Sequence, residues 1–219
     1  MPTPSRRDFL KLATAAGFAA HALPALAEQT GLQAVGGQMA EAARKILQSL
    51  PAAREGDGVP IWILSSARCT VCQAMNRKRP GPVPGIATHY LAYPLLDAEA
   101  PAVAQVWRAR TANAYRRYMA GAFRDAPAFP VQSPVGRSPH HGRADQELSD
   151  AELFAKYHAE IMLVKSLWAD DSGRIESVTP ESYFFLRPPQ GPALVRLPGD
   201  GIPVLQALMQ KYPDWFANT

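Results

Sequence analysis

The run Val59-Pro60-Ile61-Trp62-Ile63-Leu64-Ser65-Ser66 is followed at once by Ala67-Arg68-Cys69-Thr70-Val71-Cys72, then by Gln73-Ala74-Met75-Asn76-Arg77-Lys78-Arg79 ahead of Pro80 and Gly81. The first segment has the short, uninterrupted apolar character of a buried strand. The last has the composition of a helix start, and Pro80-Gly81 stops it. Two cysteines three apart therefore sit at a strand-to-helix junction, and they are the only two in the 219 residues. At a helix N-terminus, unpaired backbone N–H groups and the helix dipole favour an anion. The first thiol lands there. The second lies one turn along, close enough to form a disulfide with it or to resolve a mixed one. A purely structural bridge is the alternative. A bridge closing so small a loop restrains the unfolded chain very little, so redox chemistry or metal binding accounts better for the spacing.

Upstream, residues 28–58 read as an N-terminal helical segment. Met39, Ala42, Ala43, Ile46, Leu47 and Leu50 recur at helical spacing between Leu32 and Leu50, Pro51 ends the pattern, and a polar turn runs to Gly58. Residues 1–27 read as an address: Ser5-Arg6-Arg7-Asp8-Phe9-Leu10-Lys11, an Ala-rich stretch from Leu12 to Leu26, and a small-x-small site at Ala25-Leu26-Ala27. This is the pattern of a twin-arginine export signal cut after Ala27. A membrane anchor is the rival reading. His21 and Pro24 interrupt the apolar stretch, which falls short of the ~20 residues spanning requires. The expectation is a periplasmic protein with no membrane contact after cleavage, of about 190 residues, the size of one domain with a full core. With 23 Lys and Arg against 19 Asp and Glu, the chain lacks the basic excess of a nucleic-acid binder.

Downstream, Ile86 to Leu96 reads as a second strand. Asp97 to Pro101 opens a helical stretch, and Ala102 to Phe123 reads as one long helix bearing Val103, Val106, Trp107, Ala114, Tyr118 and Met119. Residues 124–146, with Pro127, Pro130, Pro134 and Pro139, read as a loop. Ser149-x-x-Glu152 is a capping box for a helix carrying Leu153, Tyr157, Ile161, Val164 and Trp168. Trp62, Trp107 and Trp168 are core candidates, and Glu160 and Lys165 read as a solvated face. Ser182–Leu186 and Ala193–Leu197 form a hairpin, and Gly199-Asp200-Gly201 leads to a final helix with Pro203 in its first turn. The order is β-α-β-α-α-β-β-α.

This order, with Cys69 and Cys72 heading the first core helix and Val178-Thr179-Pro180 just ahead of Ser182–Leu186, resembles the thioredoxin family. The expected class is α/β: a thioredoxin-like domain over 59–219 with a helical insertion, about 101–170, between the second and third core strands. Tyr93-Pro94-Leu95-Leu96, the later Trp107, Tyr183-Phe184-Phe185-Leu186 and Leu197-Pro198-Gly199 extend the likeness to the periplasmic disulfide isomerases of the DsbC/DsbG group. The resemblance implies a cis-proline at Pro180 facing the cysteines, with Thr179 offering its backbone to a substrate strand; a trans proline starting a strand is the plain alternative. It implies a thiol–disulfide oxidoreductase with Cys69, Cys72, Thr179 and Pro180 as site residues and no cofactor or bound metal. Its partners would be exported cysteine-bearing proteins and a redox protein that recycles the pair. Two departures stand out. Too little chain precedes Val59 for the group's dimerisation domain, so a monomer or weak dimer is expected. Val59–Ser65 also carries no acid beneath the cysteines.

Cys69 is expected to be the nucleophile and Cys72 the resolving thiol. Arg68 either stabilises the thiolate or is simply solvated. His158 is expected to be a partly buried structural residue, and His140-His141 exposed. The competing function is copper binding or delivery, with Cys69 and Cys72 joined by His140, His141 or His158.

Overall fold

The computed structural model describes residues 32–79, 81–123, 128–131, 138–169, 180–189 and 191–217. Its centre is a six-stranded sheet. In chain order the elements are β1 (Gln33–Gly36), α1 (Gly37–Ser49), β2 (Ala53–Glu55), β3 (Val59–Ser65), α2 (Thr70–Lys78), β4 (Ile86–Ala92), α3 (Ala100–Ala109), α4 (Ala112–Met119), α5 (Asp150–Lys165), β5 (Glu181–Leu186), β6 (Ala193–Pro198) and α6 (Ile202–Lys211). Across the sheet the strands run β1-β6-β5-β3-β4-β2. β3 and β4 are parallel, as a strand–helix–strand crossover requires, with Val59 opposite Ile86 and Ser65 opposite Ala92. β5 lies antiparallel on the other side of β3, Ile61 to Phe184 and Leu64 to Glu181, and the hairpin partner β6 lies beyond it. The block β4-β3-β5-β6, with α2 and α6 following the first and last of its chain-ordered strands, is the thioredoxin fold. The helices α3, α4 and α5 are inserted between β4 and β5.

Strand alternation assigns the faces. Ile61, Ile63 and Ser65 share one with Ser182, Phe184 and Leu186; Trp62 and Leu64 share the other with Glu181, Tyr183 and Phe185. The first face meets α6 at close range. Ser182 Oγ donates to Gly199 O (2.8 Å) and accepts from Gly201 N–H (3.1 Å). A Cβ on Gly201 would stand 2.7 Å from Ser182 Cβ, so only glycine fits there. On the other face α1 and α5 pack together. α1 buries Ala40, Ala43 and Leu47 at three- and four-residue steps. Trp107 of α3 is fully buried, donates its indole N–H to Ala92 O (3.1 Å) and stacks on Phe154 of α5 at 5.4 Å.

Several expectations need correction. The N-terminal segment is not all helix: Gln33–Gly36 forms an edge strand paired with β6 from Gln33–Arg196 to Gly36–Ala193. The polar turn contains β2, whose three residues pair with Thr88, His89 and Tyr90. The second strand ends at Ala92, before Pro94, and Tyr93 N–H turns to Ser65 O (2.8 Å). The long helix breaks in two at Arg110, which takes a left-handed conformation (φ 52°). Thr111 then caps α4 by accepting from Ala114 N–H (3.2 Å). The capping box at the start of α5 is present, with Ser149 Oγ and Glu152 bonded reciprocally.

Glu160 and Lys165 do not form a solvated face. They are 5% and 3% exposed. Glu160 meets His141 Nδ1 (3.0 Å) and Ser49 Oγ (3.2 Å). Lys165 Nζ lies 3.2 Å from Glu181 Oε1 and over the Tyr93 ring. The reason is that α5 is wrapped on several sides. Leu153, Phe154, Tyr157, Ile161, Leu163 and Val164 are all buried, and a helix apolar around most of its circumference has no room for a wet stripe.

Candidate active site at the head of the second helix

β3 ends at Ser65, and the chain reverses over Ser66 to Cys69. Cys69 N–H donates to Ser66 O (3.2 Å), while Ser66 Oγ accepts from Arg68 N–H (2.9 Å). A serine opening a turn and bonding the backbone two residues on is the usual side-chain mimic of a turn. Gln73 Nε2 donates to Ala67 O (2.5 Å) from the helix side. Cys69 is thereby delivered as the N-cap of α2, and its Sγ accepts from Cys72 N–H at 3.1 Å. A sulfur atom thus occupies the place where a capping oxygen normally satisfies a free helix N–H.

Cys69 and Cys72 are disulfide-bonded, with their Cα atoms 5.2 Å apart. Cys69 is half-buried, whereas Cys72 is 2% exposed. The first cysteine is thus the more accessible of the two. Beneath Cys72 a small space is lined by Ile63, Ser65, Met75, Arg79, Tyr90 and Tyr115. Arg79 is anchored on Asp200 (3.0 Å). Tyr115 stacks on Tyr90 at 4.6 Å, and burial pushes its phenol well above the ordinary range.

Pro180 is buried, and its carbonyl accepts from Gly199 N–H (2.6 Å). It directly precedes Glu181, the partner of Leu64, so it stands at the end of β5 beside the end of β3 that leads to the cysteines. Thr179 lies outside the described residues, and with it the Thr179–Pro180 peptide bond. Arg68 is exposed.

A buried acid does reach the turn that leads to Cys69. Glu99 closes the single 3-10 turn Asp97–Glu99 after β4 and is 6% exposed. Its carboxylate accepts from Ser66 Oγ (2.9 Å), Tyr118 OH (2.9 Å), Leu95 N–H (2.7 Å) and Leu96 N–H (3.2 Å). Burial and the Glu99 carboxylate both push the Tyr118 phenol upward. Sequence reading missed Glu99, Ser66 and Tyr118. The one available signal was an acid three residues past an apolar Leu95-Leu96 pair, which shows nothing about what it faces.

Among the described residues the exposed large apolar side chains are Val71 (56%), Leu95 (40%) and Leu96 (54%). All three lie on segments that leave the same end of the sheet as the disulfide.

The candidate copper ligands are engaged elsewhere. His141 pairs with Glu160, and His140 Nδ1 lies 3.8 Å from Glu152 and 3.3 Å from Arg143 Nη1. His158 is partly buried, as expected, packed on Phe154 (5.0 Å) and Tyr93 (5.9 Å). Among the described residues no group of three or more His, Cys, Asp and Glu side chains is placed to hold a metal ion.

No family model and no curated protein matches the chain. Among solved structures it is similar to the crystal structure of Salmonella enterica Typhimurium BcfH, at 16% identity over 80% of this chain and 79% of that one, with a TM-score of 0.37. The strand order, the register and the bonded Cys69–Cys72 pair are those of a thioredoxin-fold protein with a dithiol–disulfide site, the equipment of a thiol–disulfide oxidoreductase.

Proposed function

We propose that this chain is an exported, DsbG-like thiol–disulfide oxidoreductase acting on cysteine-bearing proteins of the periplasm. The observation that carries the reading is the asymmetry of the pair: Cys69 half-buried at the head of α2, Cys72 enclosed one turn below. In the reduced protein the Cys69 thiolate attacks one sulfur of a substrate disulfide. An S–S bond forms between Cys69 and that sulfur, and the other substrate sulfur leaves as a thiolate. Cys72, deprotonated, then attacks Cys69 Sγ and releases the second substrate thiolate. The substrate gains two electrons and the enzyme closes its own disulfide. Run backward, the same two steps oxidise a dithiol. With a sulfenylated substrate cysteine, Cys69 condenses with loss of water and Cys72 resolves the product in the same way.

The helix N-terminus favours the thiolate at Cys69. In this reading Thr179, next to Pro180, offers its backbone to a substrate strand, and the apolar Val71, Leu95 and Leu96 suit an unfolded or extended segment beside its cysteine. Export follows the twin-arginine signal over 1–27. A second redox protein recycles the pair, and the enzyme works as a monomer or weak dimer.

The test is trapping. Cys72→Ser removes the resolving attack and leaves the first, so the variant should accumulate mixed disulfides with exported proteins through Cys69, and Pro180→Ala in the same background should lengthen their lifetime. A Cys72→Ser protein that traps nothing, while the wild type binds Cu(I) tightly in a chelator competition that depends on His140, His141 or His158, would replace this reading with copper delivery.

A further inference from the structure

Hydrogen bonds joined through the backbone of residues 66–72 link a buried acid to the turn that carries the exchanging sulfur. Glu99 Oε1 accepts from Ser66 Oγ at 2.9 Å, and Oε2 lies 3.2 Å from the same hydroxyl. Ser66 Oγ accepts from Arg68 N–H (2.9 Å), and Ser66 O accepts from Cys69 N–H (3.2 Å). Cys69 Sγ accepts from Cys72 N–H. The other carboxylate contacts hold Leu95 N–H, Leu96 N–H and Tyr118 OH. Ser66 is 0% exposed.

The buried Ser66 hydroxyl, bonded to the Glu99 carboxylate and within reach of the Tyr118 phenol, is held in place by its neighbours. Its lone pairs are then aimed at Arg68 N–H, and the turn that follows is set. If the hydroxyl lost that partner, the turn could relax and Sγ would leave the N-cap position, where the helix N–H groups stabilise a thiolate. A surface carboxylate could tether Leu95 and Leu96 without the desolvation cost borne by a buried one. The buried location brings the acid to Ser66.

We propose that Glu99 is a positioning residue for disulfide exchange, acting through Ser66 to hold the Cys69 sulfur at the head of α2. The proposal rests on the redox reading above. Among the described residues the charged and titratable groups near the dithiol include Arg68 in the turn, Arg79 with Asp200, Tyr90 and Tyr115 with Glu55 and Arg116, Tyr118 on Glu99, and the Glu181, Lys165 and Arg196 group at β5. None of them is substituted in the variants compared below.

The test is the pH–rate profile for alkylation of Cys69 in the reduced, full-length protein by iodoacetamide, with the labelled residue identified by mass spectrometry. Ser66→Ala removes the hydroxyl that Glu99, Tyr118 and Arg68 N–H share and leaves Glu99 bonded to Leu95, Leu96 and Tyr118. Its midpoint should move up by about one pH unit. The rate at neutral pH should fall by roughly threefold rather than tenfold, because a more basic thiolate is also the better nucleophile. Glu99→Gln is the conservative variant. Its amide oxygen can accept from the two backbone N–H groups, and its amide nitrogen can donate to the two hydroxyl oxygens, so a bond to Ser66 is kept with its direction reversed and without the charge. Its midpoint should not rise, since loss of a nearby anion favours a thiolate. A folded Ser66→Ala protein with the wild-type midpoint overturns the proposal, as does a Glu99→Gln midpoint raised as far as that of Ser66→Ala. Alkylation needs no protein substrate. Failure here with successful trapping by Cys72→Ser would sink the positioning role alone, and failure of trapping would sink the redox reading itself.

Discussion

Two buried acids sit near the end of β3 that leads to the disulfide, and they are used in opposite ways. Glu99 is surrounded by neutral donors: two hydroxyls and two backbone N–H groups. Glu181, 0% exposed on the far side of β3, lies 3.2 Å from Lys165 Nζ and 3.4 Å from Arg196 Nη2, and accepts from Tyr183 OH. The first arrangement fixes the direction of groups that belong to the redox turn and its neighbouring strap. The second offsets cationic charge where α5 meets the sheet. Directed neutral bonds specify geometry, whereas a carboxylate between cations chiefly keeps buried charge from opening the core. The same residue type thus serves local order on one side of the strand and global stability on the other.

Glu181 is the more consequential of the two acids for stability. Glu181→Ala removes the carboxylate facing Lys165, whose ammonium burial already disfavours. The loss should be about 3–5 kcal/mol in urea unfolding. A loss no larger than that of an ordinary surface substitution would mean that the cluster does not carry this face. Near-wild-type reactivity of Cys69 in whatever fraction remains folded would sharpen the division of labour.

A smaller effect is expected on the acid side. The rings of His89 and His158 are both held down to about 4, in each case chiefly by burial, with Arg54 adding to the first and Lys165 to the second. Unfolded, both titrate near the ordinary 6.5. Between those values the unfolded chain binds more protons than the folded one. The stability contribution is therefore complete above pH 6.5 and declines as pH falls toward 4. Both residues are only partly buried, so the loss should be of order 1 kcal/mol each. Denaturant midpoints at pH 7 and pH 4.5 measure it, and His158→Leu should flatten the slope. An unchanged slope in that variant would show that His158 does not contribute.

The parts of the molecule legible in sequence are those fixed by short-range pattern. The apolar run Val59–Ser65, the cysteine helix, the Ser182–Leu197 hairpin and the capping box at Ser149 each carry their own periodicity or cap, and together they led to the α/β thioredoxin-like class that the sheet order bears out. β1 was not legible, because Gln33-Ala34-Val35-Gly36 becomes a strand only through pairing with β6. β2 is three residues long, below any alternation worth reading. The break at Arg110 depends on a left-handed backbone that no glycine announces. Glu99 is the instructive miss: it reaches Ser66 across 33 residues of chain, and no spacing rule connects two such positions. For Glu160 and Lys165 the signal lies in the apolar residues that surround both on α5.

The central claim is that Cys69–Cys72 is a working redox couple rather than a staple, and its equilibrium potential tests this directly. The wild-type protein, equilibrated across a series of reduced and oxidised glutathione ratios and quenched by acid, should show one reversible two-electron transition. Its potential should lie above about −300 mV, within the range the glutathione couple can reach. A bridge that stays oxidised through the most reducing mixtures, and so lies below that value, would be a structural disulfide and would contradict the account.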